Sequence, residues 1–454
     1  MLRDRRTAPG AAGHLHPGQR AEPRPARARA GGRRAVSHAD LAAGVWRIER
    51  SRLVGAAARL LRDLDEAEDC AQDALIAALE TWPRDGQPAN PAAWLMATTR
   101  NRALDRLRRR AMLEREHQAL AADDEAAQAH AVPDFVDHLD AAREQAEIGD
   151  ELLRLIFIAC HPVLPREAQV ALTLRLLGGL ETAEIARAFL QPEATVAQRI
   201  VRAKKALNGQ AFELPGPDER QQRLAAVLAV VYLIFNEGHS AGSGACLLRP
   251  ALCDEALRLA RQLQHLLPGE AEVHGLAALL EIQSSRLPAR LDARGRPVLL
   301  PDQDRRRWDR LLIQRGLAAL ERALALGEPG PYTLQSAIAA CHARAARPAD
   351  TDWRAIVAGY DRLLALNPSP VIALNRAVAV SFADGPAAAW PLLQALAAAP
   401  QLQRYPWLAG AQADVLERLG RVGEAREAYL RAAGLTENEV QRALLQERAA
   451  RLAN

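Results

Sequence analysis

The sequence predicts an all-α fold divided into two or three domains. The chain has 454 residues, of which 49% are hydrophobic and 4% aromatic. Alanine, leucine and arginine dominate, β-branched residues are sparse, and apolar residues recur at the helical spacing of three and four positions. A chain of this length is expected to form more than one domain. No apolar run approaches the roughly 18 residues of a membrane span and no signal-peptide core is found, so we expect a cytoplasmic protein without membrane contact.

Residues 1–36 differ from the rest of the chain in charge. They carry nine arginines against two acidic residues, or +7, whereas residues 37–454 sum to −3, which together give the net charge of +4. Three interpretations remain open: a disordered basic tail, a basic arm that touches nucleic acid, or a segment that is not translated because synthesis begins at Val36. We favour the tail or the untranslated segment over the arm.

Residues 37–110 predict helices on both sides of the turn PRDGQPANP (83–91). The first stretch contains the acidic segment DEAED (65–69), followed by apolar residues at helical spacing. The second, AAWLMATTRNRALDRLRRR (92–110), places Trp94 at a core position and ends in consecutive arginines. These arginines either bind nucleic acid or form a solvated helix end that complements the helix dipole.

Residues 111–148 predict a flexible linker, because they hold ten acidic residues and two arginines and little apolar periodicity. Residues 149–214 then predict a small helical domain that contains a helix-turn-helix over ETAEIARAFLQPEATVAQRIVRAKKAL (181–207). Pro192 separates the two helices. The T-x-x-Q pattern of Thr195 and Gln198 predicts a capping box, so that the second helix begins there.

The second helix of this motif has two distinct faces. Its apolar stripe consists of Val196, Ile200, Ala203 and Leu207. Its polar face consists of Thr195, Gln198, Arg199 and Arg202. This is the geometry of a helix-turn-helix that places its second helix in the DNA major groove, although a solvated hairpin on a protein surface has the same pattern.

Residues 218–454 predict a helical repeat region. From Trp308 onward, helices pair at a period of about 35 residues, with small residues at the helix contacts and proline after the second helix, which resembles tetratricopeptide repeats. Such arrays bind peptides or proteins in a concave groove, but a purely structural cap is the alternative. After the apolar helix that begins the region, we expect Asn236, Glu237 and His239 to form a capped turn rather than a polar site.

Nothing in the sequence indicates catalysis or metal binding. The five cysteines show no CxxC spacing, and no His/Cys group has the spacing of zinc ligands. No nucleophile or phosphate-binding loop stands out. We therefore predict a protein that is not an enzyme, has free thiols and needs no cofactor.

Two segments resemble a known family. DEAEDCAQDALIAALETW (65–82) and NPAAWLMATTRNRALDRLRR (90–109) resemble domain 2 of bacterial RNA polymerase sigma factors, most closely the extracytoplasmic-function group of the sigma-70 family. That group shows an acidic D-x-A-E-D-x-x-Q segment, a turn, and a P-x-x-W-L helix that ends in N-x-x-x-D-x-x-R-R. Residues 180–207 resemble sigma domain 4, which reads the −35 element. A sigma factor with a tetratricopeptide-like extension is a recognised subgroup, and this chain looks like a member.

The resemblance implies three sets of contacts. Docking on the clamp of the polymerase β′ subunit is implied for Glu68, Asp69, Gln72 and Asp73, whose acids suit a basic partner. Reading and melting of the −10 element is implied for Asn101, Asp105, Arg106 and Arg109. Contact with the −35 element is implied for Thr195, Gln198, Arg199 and Arg202. Where typical members carry a basic or hydroxyl residue after the T-V of the recognition helix, this chain has Ala197-Gln198, so their promoter sequences do not transfer.

The resulting domain plan has five parts. They are a basic tail (1–36), sigma domain 2 (37–110), an acidic linker (111–148), sigma domain 4 (149–214) and a regulatory repeat domain (218–454). We expect a promoter-recognising subunit of RNA polymerase whose repeats bind a protein partner or an intramolecular target. The alternatives are a stand-alone helix-turn-helix regulator with a repeat-type sensor domain, and a repeat-type interaction scaffold with a degenerate sigma region.

Overall fold

The computed structural model describes residues 38–121, 151–189, 191–210, 212, 214–240 and 245–453. Within them the secondary structure is helical, apart from turns and one isolated bridge between Leu291 and Pro297, so the predicted all-α class is confirmed. In this part of the chain no helix is both long enough and apolar enough to cross a membrane. The predicted basic tail and residues 122–148 of the predicted linker lie outside the described residues.

The helices described before position 217 surround a common core. They are α1 (His38–Leu61), α2 (Leu64–Asp85), α3 (Pro91–Ala121), α4 (151–159), α5 (Arg166–Leu176), α6 (Thr182–Ala188) and α7 (Glu193–Leu207). α2 begins after Asp63, whose carboxylate accepts a hydrogen bond from the backbone N–H of Glu66 at 3.0 Å and so caps the helix. At the other end of α2, the buried Trp82 packs edge-to-face on Trp94 of α3 with ring centroids 5.7 Å apart. The predicted core position of Trp94 therefore joins two helices.

Two predicted boundaries differ from the structure. α3 does not end with the arginines at 108–110 but continues to Ala121, so the first part of the predicted flexible linker is helical. Residues 111–116, AMLERE, are strong helix formers, which explains the continuation. The capping box predicted at Thr195 is wrong, because α7 begins after Pro192 and no side chain caps it. The N–H of Thr195 donates to the Pro192 carbonyl at 3.0 Å, which places Thr195 inside the first turn.

The described part of the C-terminal extension consists of helices joined by turns and loops, with the isolated bridge between Leu291 and Pro297. Its α-helices are α8 (Pro217–His239), α9 (Pro250–Leu266), α10 (Ala271–Ser285), α11 (Arg310–Leu326), α12 (Pro331–Arg344), α13 (Trp353–Leu366), α14 (Pro370–Ala383), α15 (Pro386–Leu396), α16 (Pro406–Arg418), α17 (Val422–Leu435) and α18 (Glu439–Arg451). From α11 onward each helix packs on the next one along the chain. This nearest-neighbour packing is typical of helical repeat proteins.

One hydrophobic core runs from α1 to α10, across the start of the extension. α1 approaches α4 so closely that a Cβ at Gly55 would lie 2.9 Å from the carbonyl oxygen of Glu151. α5 packs on α8, and the guanidinium of Arg223 in α8 donates to the carbonyl oxygen of Phe157 at 3.1 Å. The helix-turn-helix, the helices before it and the first extension helices therefore form one packed body.

Candidate nucleic-acid interface and its buried ion cluster

The acidic residues of α2 divide between its outer and inner faces. The side chain of Asp69 is 62% exposed and that of Asp73 is 41% exposed, and Gln72 is also exposed. Glu68 points the other way and is 6% exposed. Of the four predicted docking residues, the structure therefore presents three to solvent and buries one.

Glu68 is the centre of a buried ion cluster that joins four helices. Its carboxylate accepts from Arg50 of α1 at 2.8 Å and from Lys204 of α7 at 2.5 Å, and Arg175 of α5 lies 3.9 Å away. Lys204 also donates to Asp65 at 2.7 Å. Docking by Glu68 stays a prediction; in this arrangement its carboxylate lies on the buried side of α2 and faces three cations.

Lys204 was missed by sequence reasoning, although the sequence carries a signal for it. It follows Val196 and Ile200 at i+8 and i+4, so it lies on the apolar stripe rather than on the polar face. Burial lowers the pKa of the Lys204 ammonium, but the nearby carboxylates of Glu68 and Asp65 together raise it by more, so the pKa lies above its ordinary value. A basic residue on a buried stripe indicates a buried acidic partner.

Part of the basic surface of α3 faces α2 rather than solvent. Arg106 lies 3.5 Å from Asp69 and 3.5 Å from Asp73, and its guanidinium donates to the Glu66 carbonyl at 3.3 Å. Arg110 pairs with the carboxylate of Glu66. The structure thus brings Arg106, predicted to touch DNA, into contact with two acids predicted to touch polymerase.

A second face of α3 is open to solvent. It carries the other three predicted −10 residues, Asn101, Asp105 and Arg109, together with Arg108. Arg108 donates to the Asp105 carboxylate at 3.1 Å. This face therefore presents an amide, a carboxylate and guanidinium groups side by side, a set of groups that can bind base edges and phosphates.

The outer face of α7 matches the predicted recognition surface in most positions. The apolar stripe predicted for α7 is buried, as expected. Thr195, Gln198 and Arg202 are exposed, and Lys205, missed by sequence reasoning, extends the row. Arg199 is half-buried, and its guanidinium donates to the side-chain carbonyl of Gln191 at 2.8 Å. The exposed row follows i, i+3, i+7 and i+10, which is one helix face.

A second buried acid lies between α1 and α4. The carboxylate of Glu151 is 2.6 Å from the Arg59 guanidinium and 3.4 Å from that of Arg154. Burial raises the pKa of Glu151, and the two arginines oppose that effect. Among the described residues, no group of three His, Cys, Asp or Glu side chains is arranged to hold a metal ion.

Comparison with known families divides the chain into three matched segments. Residues 46–112 match sigma-70 region 2, residues 154–207 match sigma-70 region 4, and residues 223–324 match a family of unknown function (DUF6596). The first segment contains the faces of α2 and α3 described above, and the second contains α7. The third covers the start of the extension.

Three individual proteins are similar to this chain over different lengths. An uncharacterized protein of Rhizobium meliloti (strain 1021), R00370, is 46% identical over 394 residues, which cover 86% of this chain and 90% of that protein. The RNA polymerase sigma-H factor of Pseudomonas aeruginosa is 29% identical over 158 residues, or 35% of this chain and 79% of that protein. The crystal structure of yeast Tom70 aligns over 91% of this chain and 84% of that one, with 11% identity and a TM-score of 0.35, too low to define how the helices are arranged.

Proposed function

The chain belongs to the sigma-70 family of bacterial RNA polymerase sigma factors, and we propose that it directs core polymerase to specific promoters in the cytoplasm. The observation that carries this proposal is the order of the two sigma regions together with what they expose. Region 2 exposes the acids of α2 and the polar face of α3, and region 4 exposes the polar row of α7. The protein acts as a binding subunit, without catalysis of its own.

Each exposed face has one proposed partner. Asp69 and Gln72 dock on the β′ clamp, and Asp73 contributes while also holding Arg106. The open face of α3 reads the −10 element. The row of Thr195, Gln198, Arg202 and Lys205 enters the major groove at the −35 element, where arginine matches guanine O6 and N7. Arg199 acts by fixing Gln191 at the turn before α7.

The arrangement described here is proposed to be a closed form that opens on polymerase. Elements centred at −10 and −35 are 25 base pairs apart, about 85 Å along B-form DNA. α7, however, touches α2 through Lys204 and Glu68 at 2.5 Å. Region 2 and region 4 must therefore separate before both elements can be read. Separation breaks the ion cluster around Glu68 and divides the apolar core that the two regions share.

The extension is proposed to be required for activity rather than simply inhibitory. α8 continues the core under α5, and Arg258 of α9 donates to the Leu177 carbonyl at 2.5 Å, just before the helix-turn-helix. Removing everything after Pro215 would expose this apolar surface and loosen the support of region 4. An internal contact of this kind occurs at high effective concentration and needs little intrinsic affinity.

Reconstituted transcription tests the sigma assignment. The full-length protein is mixed with core polymerase and a library of promoter fragments, and the sequences that initiate are read. We expect initiation at a shared pair of elements only when both components are present. Sequence-specific binding of the same DNA by the protein without core polymerase would instead support the stand-alone regulator, and an absence of initiation and DNA binding in all mixtures would support the scaffold.

A further inference from the structure

A cavity of about 520 Å³ lies in the extension, between α8, α10, α12, α13 and α14. Its volume falls within the range of pockets that hold small molecules. Its lining includes the apolar and aromatic side chains of Phe235, Ile338 and Tyr360. It also includes the polar side chains of His239, Arg286 and His342 and several side-chain amides.

Three arginines, Arg286, Arg290 and Arg305, lie in or near the wall of this cavity. The guanidinium of Arg290 lies 2.6 Å from the imidazole nitrogens of His239. Arg286 lines the cavity and lies over the Trp308 ring, with its guanidinium carbon 5.9 Å from the ring centroid. The buried Arg305 stacks on the same ring at 5.0 Å. Three arginines therefore gather around one tryptophan and one histidine.

No carboxylate of the described residues pairs with Arg286 or Arg290. The Nε of Arg286 is buried without a hydrogen-bond partner. Arg305 is held by neutral groups, the carbonyl oxygens of His342 and Ala345 at 2.7 and 2.6 Å and the Thr351 hydroxyl at 3.0 Å. Among the described residues the charge of Arg305 interacts with the Asp350 carboxylate, whereas the charges of Arg286 and Arg290 have no such carboxylate.

The ionisation of the cluster reflects this lack of acids. Burial, with added repulsion from Arg290 and Arg305, lowers the pKa of Arg286 to about 9. Burial lowers the pKa of Arg290 to about 10. Burial and the nearby arginines lower the pKa of His342 to about 4 and hold that of His239 well below its usual range. Both histidines are neutral at pH 7, while the arginines remain charged.

We propose that this cavity binds a small organic anion, whose carboxylate or phosphate group is held by Arg286 and whose apolar body lies beside Phe235, Ile338 and Tyr360. A buried cation without a counter-charge costs folding free energy, and a bound anion removes that cost. The guanidinium fork matches carboxylate and phosphate oxygens. The Asn236 amide and the His342 imidazole, whose Nδ1 is buried without a hydrogen-bond partner, supply further hydrogen bonds at the wall.

The proposal gives a ligand to the segment that matches the family of unknown function. Residues 223–324 supply Phe235 and His239 from α8 and Arg286 from the end of α10, and the later helices close the cavity with His342 and Tyr360. The expectation of a capped turn at 236–239 is thereby corrected, because α8 runs through to His239 and places Asn236 and His239 on the cavity wall. The inference stands apart from the sigma function and does not depend on it.

Thermal unfolding of the full-length protein tests the site with defined probes. These are benzoate, phenyl phosphate and inorganic phosphate, with benzamide as the neutral counterpart of benzoate. We expect benzoate or phenyl phosphate to raise Tm in a saturable manner and benzamide to leave it unchanged, because only a ligand that binds the folded state stabilises it. The better of the two aromatic anions distinguishes a carboxylate ligand from a phosphate ligand. If neither aromatic anion shifts Tm, the proposal is overturned.

Arg286→Met supplies the decisive variant, with Arg306→Met as the matched control on an exposed side chain nearby. Without probe, Arg286→Met should match or exceed the Tm of the unaltered protein, because it removes an uncompensated charge and places an unbranched apolar side chain at the same position. Its affinity for the aromatic anion should fall at least tenfold, while Arg306→Met should bind as the unaltered protein does.

Arg286→Lys keeps the charge without the bidentate fork and should bind the aromatic anion more weakly than the unaltered protein but more tightly than Arg286→Met. This variant also keeps the test informative if Arg286→Met does not fold. An equal Tm response of the unaltered protein, Arg286→Met and Arg286→Lys would show that the anions act elsewhere and would overturn the proposal. So would a lysine variant that binds no better than the methionine variant.

Discussion

Two buried clusters of this protein differ in how their charge is compensated. Between region 2 and region 4, Glu68 lies among Arg50, Arg175 and Lys204, so that its charge is balanced within the fold. In the extension, Arg286 and Arg290 lie with neutral histidines and without a carboxylate partner among the described residues. A balanced cluster holds helices together, whereas an unbalanced one is expected where a ligand brings the missing charge.

The difference also separates two kinds of movement. Breaking the balanced cluster costs free energy on both sides of the contact, so opening region 4 away from region 2 requires a partner that replaces the lost interactions, as basic surfaces of core polymerase would do for the α2 acids. Binding of an anion to the unbalanced cluster only adds stability. The Glu68 cluster is therefore suited to a switch that opens on assembly, and the Arg286 cluster to a sensor that is either occupied or empty.

The largest expected effect is that of Glu68→Ala. The substitution leaves Lys204, Arg50 and Arg175 near one another without their shared carboxylate, so we expect the free energy of unfolding to fall by about 3–5 kcal/mol. Urea unfolding followed by circular dichroism measures it. The control is Asp69→Ala, the next residue on α2, whose side chain faces solvent. A loss as small as that of the control would mean that the Glu68 cluster does not hold the helices together.

The second effect is a pH dependence that belongs to the extension. His342 has a folded pKa of about 4, lowered by burial and by Arg286 and Arg305, against an ordinary value of 6.5. Between these values the unfolded chain binds a proton that the folded chain does not, so stability falls as the pH drops from about 6.5 to 4, by roughly 3 kcal/mol. His239 acts in the same direction.

Unfolding midpoints at pH 7.5 and pH 5 measure this dependence. His342→Gln should reduce the decline, whereas His265→Gln, at an exposed position of α9, should not. A bound aromatic anion should also reduce it, because an anion beside His342 favours the protonated ring. Declines of the same size in the His342 variant and the unaltered protein would show that the buried imidazole does not carry the effect.

The third effect concerns two arginines of α7: Arg202, which is exposed, and Arg199, which is half-buried. Arg202→Ala should cost about 1–3 kcal/mol at one guanine of the −35 element, because a bidentate contact to that base is lost. Arg199→Ala should cost less, since that side chain is held by Gln191. Holoenzyme binding to single-base variants of the promoter measures both. A uniform loss on every sequence, with a flatter salt dependence, would assign Arg202 to phosphate instead.

The fold class and the buried and exposed faces of α7 could be predicted from the sequence, because both depend on helical periodicity. The apolar stripe of α7 and the polar face that contains Gln198 follow from spacing, whereas Asn101 and Asp105 were selected by the family resemblance. Contacts between residues that are far apart in the sequence cannot be predicted in this way. Glu68 and Lys204 are 136 positions apart, and nothing in either local pattern identifies the other. His239, Arg286 and His342 come together only when α8, α10 and α12 pack against one another. The local sequence around His239 does not show these partners, which is why a capped turn was predicted there.

The smallest effect on stability is expected for Asp69→Arg, and it separates docking from folding. Asp69 lies beside Glu68 in sequence but on the outer face of α2, with only Arg106 at 3.5 Å, so reversal should change the free energy of unfolding by no more than about 0.5 kcal/mol. Association with core polymerase should nevertheless slow several-fold, because an exposed acid acts by steering a basic partner. Stopped-flow or surface-binding kinetics at low and high salt measure this, with Glu80→Arg as a control of similar charge change at an exposed position of the same helix.

If Glu80→Arg slows association as much, net charge rather than the acidic face is responsible. If neither variant slows it, α2 does not dock through Asp69, and the polymerase contact must lie on another face of region 2.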